Sequence, residues 1–155
     1  MHIDPTSLYW TAPEFGGPSA AEVACYDLLD RLTIPYTRVD HDPADTIAAC
    51  HEIEKVLGAP ICKNLVLCNR QKTAFYLLLM EGDKPFRTKD LSKQIGSARL
   101  SFAAPGGYGD LFGGYPGSAT ILALANDPDH KVQLILDRTV AETGHFGCHP
   151  CINTS

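Results

Sequence analysis

The chain has 155 residues, 45% of them hydrophobic, 20% charged and 8% aromatic, with a formal net charge of −5 at pH 7. That is the size of one domain with enough interior to fold without disulfide staples, and the balance excludes a disordered, collagenous or coiled-coil chain. No apolar run reaches the ~18 residues of a spanning helix, and the first residues, Met1-His2-Ile3-Asp4-Pro5, lack the basic-then-apolar pattern of an export signal. The expectation is one compact cytoplasmic domain, off the membrane, with its six cysteines reduced.

Residues 1–18 are rich in Pro and Gly and read as an irregular arm, leaving a single domain over 19–155. Ser19 with Glu22 forms a capping box, and Ala20, Val23, Ala24, Asp27, Leu28 and Leu32 recur at helical spacing, so a helix runs to about Leu32 and stops by Pro35. Tyr36–His41 alternates like a strand. Asp45 or Thr46 caps a helix through about Leu57, closed by Gly58 and Pro60. Ile61–Cys68 and Thr73–Met80 are apolar runs joined by Asn69-Arg70-Gln71-Lys72, a hairpin. Thr88 caps a short helix over 89–95 that Gly96 ends, and Leu100–Ala103 is a short strand. A Gly- and Pro-rich loop runs from Pro105 to Ser118, with a helical turn at 108–112. Ile121–Ala125 and Lys131–Leu136 then read as strands joined by the turn Asn126-Asp127-Pro128-Asp129. Helices interleave with hairpins, which predicts an α+β fold on a mixed or antiparallel sheet.

Charge is unevenly placed. From Lys55 to Arg99 there are nine cations against three anions, +6 for the segment and −11 for the rest. A basic stretch of this kind either meets a polyanion locally or solvates a hairpin and a helix. Within it, Lys63 interrupts the apolar strand Ile61-Cys62-Lys63-Asn64-Leu65-Val66-Leu67, where a charge is costly unless paired or facing a cleft. Alternation puts Lys63 on one face with Leu65 and Leu67, and Asn64 on the other with Cys62 and Val66. The ammonium either edges the sheet or points into a pocket that takes phosphate, carboxylate or carbonyl oxygen. Gly113-Gly114-Tyr115-Pro116-Gly117-Ser118 is a surface turn or a loop that lets a ligand approach the backbone; it matches neither a P-loop nor a dinucleotide fingerprint. Cys148-His149-Pro150-Cys151 has CxxC spacing without the following helix of a redox motif, and Cys62 with Cys68 is a loose match for two further zinc ligands. His149 is a structural or a site histidine. No activated serine, Gly-x-Ser-x-Gly elbow or His-Glu-x-x-His motif is present, so any catalysis works by positioning and electrostatics.

Several stretches occur in order: Tyr26-Asp27-Leu28-Leu29-Asp30, Tyr36–His41, Cys62-Lys63-Asn64-Leu65-Val66-Leu67, Leu100-Ser101-Phe102-Ala103, Gly113-x-x-Pro116-Gly117-Ser118, Asn126-Asp127 with Lys131-Val132, then His149-Pro150 and Asn153-Thr154. Together they resemble the YbaK/ProRS-associated editing superfamily, nearest to its freestanding PrdX/ProXp-ala subgroup, over residues 22 to 155. The resemblance implies an α+β domain whose central mixed, largely antiparallel sheet is flanked by helices. It also implies hydrolysis of the ester in mischarged tRNA(Pro), most of all Ala-tRNA(Pro). A synthetase pocket sized for proline admits the smaller alanine, because a missing methylene gives only about 1–3 kcal/mol of discrimination. By the same resemblance Lys63 is the essential lysine, Gly113 and Gly117 fix the aminoacyl group and the water, and His149 sizes the pocket against proline. Pro116 belongs to that loop, Asn64 and Ser118 lie close to the site, and Thr46 opens the helix that lines it. Attack is by water aided by the 2′-hydroxyl of the tRNA, with no metal and no cofactor. The partners implied are the tRNA(Pro) acceptor end and prolyl-tRNA synthetase. The chain departs from the family in its cysteines at 148 and 151 and in lacking a strand-like segment after Asn153-Thr154. The alternatives are a deacylase for Cys-tRNA(Pro) or another small aminoacyl-tRNA, a noncatalytic aminoacyl-tRNA-binding module, and a thiol or metal protein built on Cys148 and Cys151.

Overall fold

The computed structural model describes residues 1–4, 20–104 and 119–155. Helix α1 (Ala20–Arg31) is followed by α2 (Ile47–Leu57), the hairpin β1 (Cys62–Asn69) and β2 (Phe75–Glu81), α3 (Thr88–Ile95), β3 (Leu100–Phe102), a 3₁₀ segment (Ile121–Asn126), β4 (Val132–Leu136) and α4 (Arg138–Glu142). The four strands form one mixed sheet in the order β3-β1-β2-β4. β1 is antiparallel to both β2 and β3, and β4 runs parallel to β2. The α+β architecture with a largely antiparallel sheet is therefore the one observed. Among the described residues no helix is long and apolar enough to cross a membrane.

Local chemistry explains most of these elements. Thr46 has extended backbone and its Oγ1 accepts from the Ala49 N–H at 3.1 Å, while Gly58, at φ 73°, closes α2 with its N–H on the Glu54 carbonyl. A left-handed C-cap of that kind suits glycine, which has no Cβ to clash. The β1–β2 turn is tied by Asn69, whose Oδ1 accepts from the Thr73 and Ala74 N–H groups at 2.8 and 3.1 Å.

The two faces of the sheet carry separate cores. Cys62, Val66, Leu77, Leu79 and Val132 meet α1, the 3₁₀ segment and Val140 of α4 on one side. Leu67, Leu78, Met80 and Leu100 meet Leu91 of α3 on the other. β1 thus contributes alternate residues to both interiors, as a central strand must.

Three expectations are corrected, and one helix was not foreseen. Tyr36–His41 is not a strand in the sheet: it is extended chain whose described bridge is Ile3 to His41, and its main-chain groups bond to residues far away in sequence. His41 N–H donates to Thr154 O at 2.9 Å, Ala44 N–H to Asn153 O at 3.0 Å, and Asp42 N–H to His2 O. Ile121–Ala125 is helical rather than extended, because Thr120 Oγ1 accepts from the Leu122 N–H and starts a 3₁₀ turn. Short apolar runs fit either state by periodicity alone. α3 begins at Thr88 with Arg87 as its N-cap residue, which makes no side-chain cap; Arg87 Nε pairs instead with Asp90 at 2.9 Å. Helix α4, which the sequence pattern did not announce, starts at Asp137, whose Oδ1 accepts from the Thr139 N–H. Ser19, most of the 1–18 arm and the turn at 108–112 lie outside the described residues.

Asp127 ends the 3₁₀ segment and starts β4. Its buried carboxylate accepts from the main-chain N–H groups of Lys131 (3.0 Å) and Val132 (2.9 Å). Charge-assisted bonds of this sort stabilise more than neutral ones, and removing the acceptor leaves two donors unsatisfied. Asp127→Ala is expected to lower the unfolding free energy by about 2–4 kcal/mol in urea titration, with Asp127→Asn losing less. Equal stability of the alanine variant and the parent would show that the carboxylate is not what anchors β4.

Candidate functional site

Strand β1 is covered on one edge by β2 along its length. Its other edge is covered only in part. β3 pairs with Leu67, Cys68 and Asn69, and the Ala103 N–H reaches Val66 O at 2.9 Å. At the opposite end a short parallel bridge joins Ile61 to Gly147, where the Cys62 N–H donates to Gly147 O at 3.2 Å. Among the described residues nothing pairs with this edge at positions 63–65. Cys62 and Val66 both bond toward the edge, so the alternation of an antiparallel ladder turns the main-chain N–H and C=O of Asn64 the same way. The Asn64 side chain adds a third group. Its Nδ2 donates to Cys62 O at 3.0 Å, while its Oδ1 is buried with no hydrogen-bond partner. Buried polar atoms rarely stay unpaired without a reason.

Lys63 stands on the other face of the sheet, opposite Met80, with Leu65 and Leu67, as alternation requires. It is half-buried, and its ammonium donates to the Lys84 carbonyl in the turn between β2 and α3. That turn is itself pinned, because the Lys84 ammonium pairs with the Asp137 carboxylate at the head of α4. The pairing holds Asp137 below the usual carboxylate range. The lysine Nζ therefore has a fixed anchor and two donors left for an incoming oxygen.

His149 lies in the segment that leaves the Gly147 bridge, so Lys63 and His149 each follow the bridging pair by two residues. Gly147 is tight here: a Cβ would sit 3.0 Å from Ile61 Cγ1 and from Leu57 Cδ2. His149 is buried, and its Nδ1–H donates to the main-chain oxygen of Ser155 at 2.9 Å. Burial holds its pKa below the ordinary imidazole value, the Ser155 bond opposing and nearby His41 adding to the effect. The His41 and His149 rings are 6.1 Å apart, and His41 Nδ1–H donates to Asp42 O at 2.7 Å. Both imidazoles thus keep Nε2 as the free nitrogen. The cavity beside them measures about 830 Å³, and Tyr26, His41, Cys148, His149 and Ser155 are among the residues lining it. Lys63, Asn64 and Thr46 are not among its described lining residues.

Thr46 is exposed at the start of α2. Next to it, Asp45 Oδ1 accepts from Asn153 Nδ2 at 2.8 Å, which ties the helix entrance to the C-terminal segment. Gly113, Pro116, Gly117 and Ser118 lie outside the described residues. The described chain stops at Ala104, which the register sets across from Leu65, and resumes at Ala119, which packs on the core.

The cysteines are not arranged as a CxxC site. The thiol contact is between Cys25 of α1 and Cys151, at 3.6 Å, both buried. That contact, with burial, pushes the Cys25 thiol far above its usual range. Burial raises Cys62 and Cys148 to about 11, so both are protonated at neutral pH and poor nucleophiles. Among the described residues no three His, Cys, Asp or Glu side chains cluster as metal ligands. A smaller cavity of about 220 Å³ holds a histidine bridge, His51 Nδ1 to Glu54 at 2.8 Å and Nε2 to Asp83 at 3.0 Å. Tyr26 and His41 stand in two of the stretches that carry the resemblance, but nothing local in the sequence brings them or Ser155 to this cavity, where they meet through long-range packing.

Among the described residues, a sheet edge left open beside a tethered cation, without an activated nucleophile, suits ester hydrolysis by a positioned water. Residues 41–155 match the model of the aminoacyl-tRNA editing domain, and the chain belongs to that family. It is accordingly an enzyme, a hydrolase of the aminoacyl-tRNA deacylase kind. The chain is 29% identical over 135 residues to the prolyl-tRNA editing protein ProX of Acetoanaerobium sticklandii, which covers 87% of this chain and 82% of that protein. It is 28% identical over 159 residues to prolyl-tRNA synthetase associated domain-containing protein 1 of Danio rerio, covering 99% of this chain and 86% of the relative. A crystal structure of a proposed trans-editing enzyme for prolyl tRNA synthetase shares the fold, with a TM-score of 0.64 at 17% identity over 88% of this chain and 84% of that one.

The depressed His149 pKa has a signed consequence. Above about pH 6.5 neither the folded nor the unfolded ring is charged and the site costs nothing. As pH falls below that value the unfolded chain takes up the proton first, so stability drops until the folded ring protonates too. His51 acts in the opposite sense, since its two carboxylate partners raise its pKa, but that contribution is common to parent and variant. Urea unfolding at pH 7.5 and 5.0 is expected to show a smaller acid loss in His149→Gln than in the parent. The same loss in both would mean that His149 is not held neutral by the fold.

Proposed function

We propose that the chain hydrolyses mischarged tRNA(Pro) in trans, with Ala-tRNA(Pro) as its preferred substrate and the 3′ acceptor end entering at the Lys63–Asn64 stretch. The observation that carries this is the tethered lysine next to a strand edge that no described residue covers, set in the one basic stretch of an otherwise acidic chain. The names of the relatives favour prolyl-tRNA as the tRNA partner. The partner requires a polyanion to be drawn to this place and repelled elsewhere, and a +6 stretch against a −11 remainder does both.

In this reading the Lys63 ammonium donates to a phosphate or ester oxygen of the terminal adenosine. The Asn64 N–H, C=O and Oδ1 orient the aminoacyl group and the water. Water attacks the ester carbonyl, the bond to the ribose oxygen breaks, that oxygen takes a proton, and the free amino acid and the deacylated tRNA leave. Charge on the carbonyl oxygen grows along this path, so a fixed ammonium stabilises the transition state more than the ground state. Gly113, Pro116, Gly117 and Ser118 complete the wall around the acyl group, Thr46 positions the helix that borders it, and His149, neutral and buried, limits its size.

The test is a panel of Ala-, Cys- and Pro-tRNA(Pro) with parent, Lys63→Ala and Lys63→Arg proteins. The expected result is fastest hydrolysis of the alanyl ester, at least a roughly hundredfold loss in Lys63→Ala, partial recovery in Lys63→Arg, and unchanged thermal unfolding. Retained activity in a folded Lys63→Ala protein contradicts the role given to the lysine. Preferred hydrolysis of the cysteinyl ester contradicts the alanine assignment and leaves the deacylase standing.

A further inference from the structure

Phe102 is 60% exposed, although it is a large aromatic on a sheet strand. It belongs to β3, the outer strand, across from Leu67, and so faces the same side of the sheet as Lys63. It does not stand alone. Phe86 meets it edge to face, with ring centroids 6.0 Å apart and planes at 73°. Phe86 in turn packs on the buried cluster of Leu67, Leu78, Met80, Leu91 and Leu100, which fixes the pair in place. One ring is therefore anchored and the other is offered to solvent.

Cations lie close by in the chain. Arg99 lies three residues before Phe102, Arg87 follows Phe86, and Lys89 and Lys93 are exposed on α3 one turn apart. Of these, Arg87 is paired with Asp90, the one anion of that helix. Along β1, Phe102 is four residues from Lys63, roughly 13 Å at the usual strand rise. An exposed aromatic face with cations nearby in the chain is the combination that unpaired nucleotides use, with bases stacking on the ring and phosphates on the cations.

We infer that Phe102, braced by Phe86, is a stacking platform for an unpaired base of the tRNA 3′ end, with Arg99 holding an adjacent phosphate, so that the terminal nucleotide reaches Lys63. This rests on the deacylase reading above and adds the route by which the substrate approaches. Phe102 is a positioning residue: it touches no reacting atom, and its loss weakens binding rather than chemistry.

Two measurements separate the claims. In deacylation of Ala-tRNA(Pro), Phe102→Ser is expected to raise KM about tenfold or more with kcat little changed. Phe102→Trp restores the parent KM, and Phe102→Leu, apolar but without a π face, does not. In fluorescence anisotropy, a short single-stranded RNA ending in CCA is expected to bind the parent and to bind Phe102→Ser and Arg99→Gln more weakly. The salt slope of the arginine variant is expected to fall by about one unit. An unchanged KM in Phe102→Ser, or full recovery by leucine, overturns the platform while deacylation stands. A parent that hydrolyses no aminoacyl-tRNA, yet binds the RNA in a Phe102-dependent way, overturns the deacylase reading and keeps the platform. RNA binding that is the same in parent and Phe102→Ser assigns this aromatic face to something other than nucleic acid and removes the proposal.

Discussion

One strand edge organises this molecule. Every main-chain N–H and C=O that leaves water needs a partner, and β1 meets that demand on its second edge with two unrelated segments. β3 takes its C-terminal half, and Gly147 takes its first residues. Among the described residues the gap between them is three residues long and carries Lys63 and Asn64, the two polar residues in the body of the strand. Lys63 and Asn64 are neighbours in sequence but emerge on opposite faces, so the gap presents a cation on one side and an amide on the other, with the Asn64 main chain between.

The rest of the fold supports that arrangement. The Lys84 turn, anchored to Asp137, gives the Lys63 ammonium a fixed rest position. The extended segment from Tyr36 to Ala44 is held by Asn153 and Thr154, and this holds the C-terminal segment against the start of β1. The thiol contact between Cys25 and Cys151 joins the same segment to α1. His149 is therefore placed by long-range bonds from three directions and kept neutral by burial. Exposed cations stand on α3 (Lys89 and Lys93), whereas the histidines line the cavity of about 830 Å³.

What could be read from the sequence was local. Thr46 and Gly58 bound α2 because cap chemistry is decided within a few residues. The Asn69-Arg70-Gln71-Lys72 turn and the β1–β2 alternation were legible for the same reason, and a lysine inside an apolar strand marked its own position. The misreadings share the opposite property. Tyr36–His41 alternates like a strand, yet its partners are residues near both ends of the chain. Ile121–Asn126 has too few residues for its periodicity to choose between helix and strand, and a threonine cap decided it. The CxxC spacing of Cys148 and Cys151, which no following helix supports as a redox motif, is not used as a pair: packing brings Cys151 to Cys25. The open edge at 63–65 depends on where β3 stops, and Phe102, read as one more strand residue, owes its exposure to an outer position no local pattern encodes.

The central claim is that the aminoacyl end of the substrate is held at the edge of β1 around residues 63–65, which no described residue covers. The most direct measurement is a backbone amide NMR titration with a 3′-terminal nucleotide bearing alanine through a non-hydrolysable amide link. The account predicts that the largest shifts fall on Lys63, Asn64 and Leu65. Shifts confined to the cavity of His51, Glu54 and Asp83, with the Lys63–Leu65 amides unmoved, would contradict it.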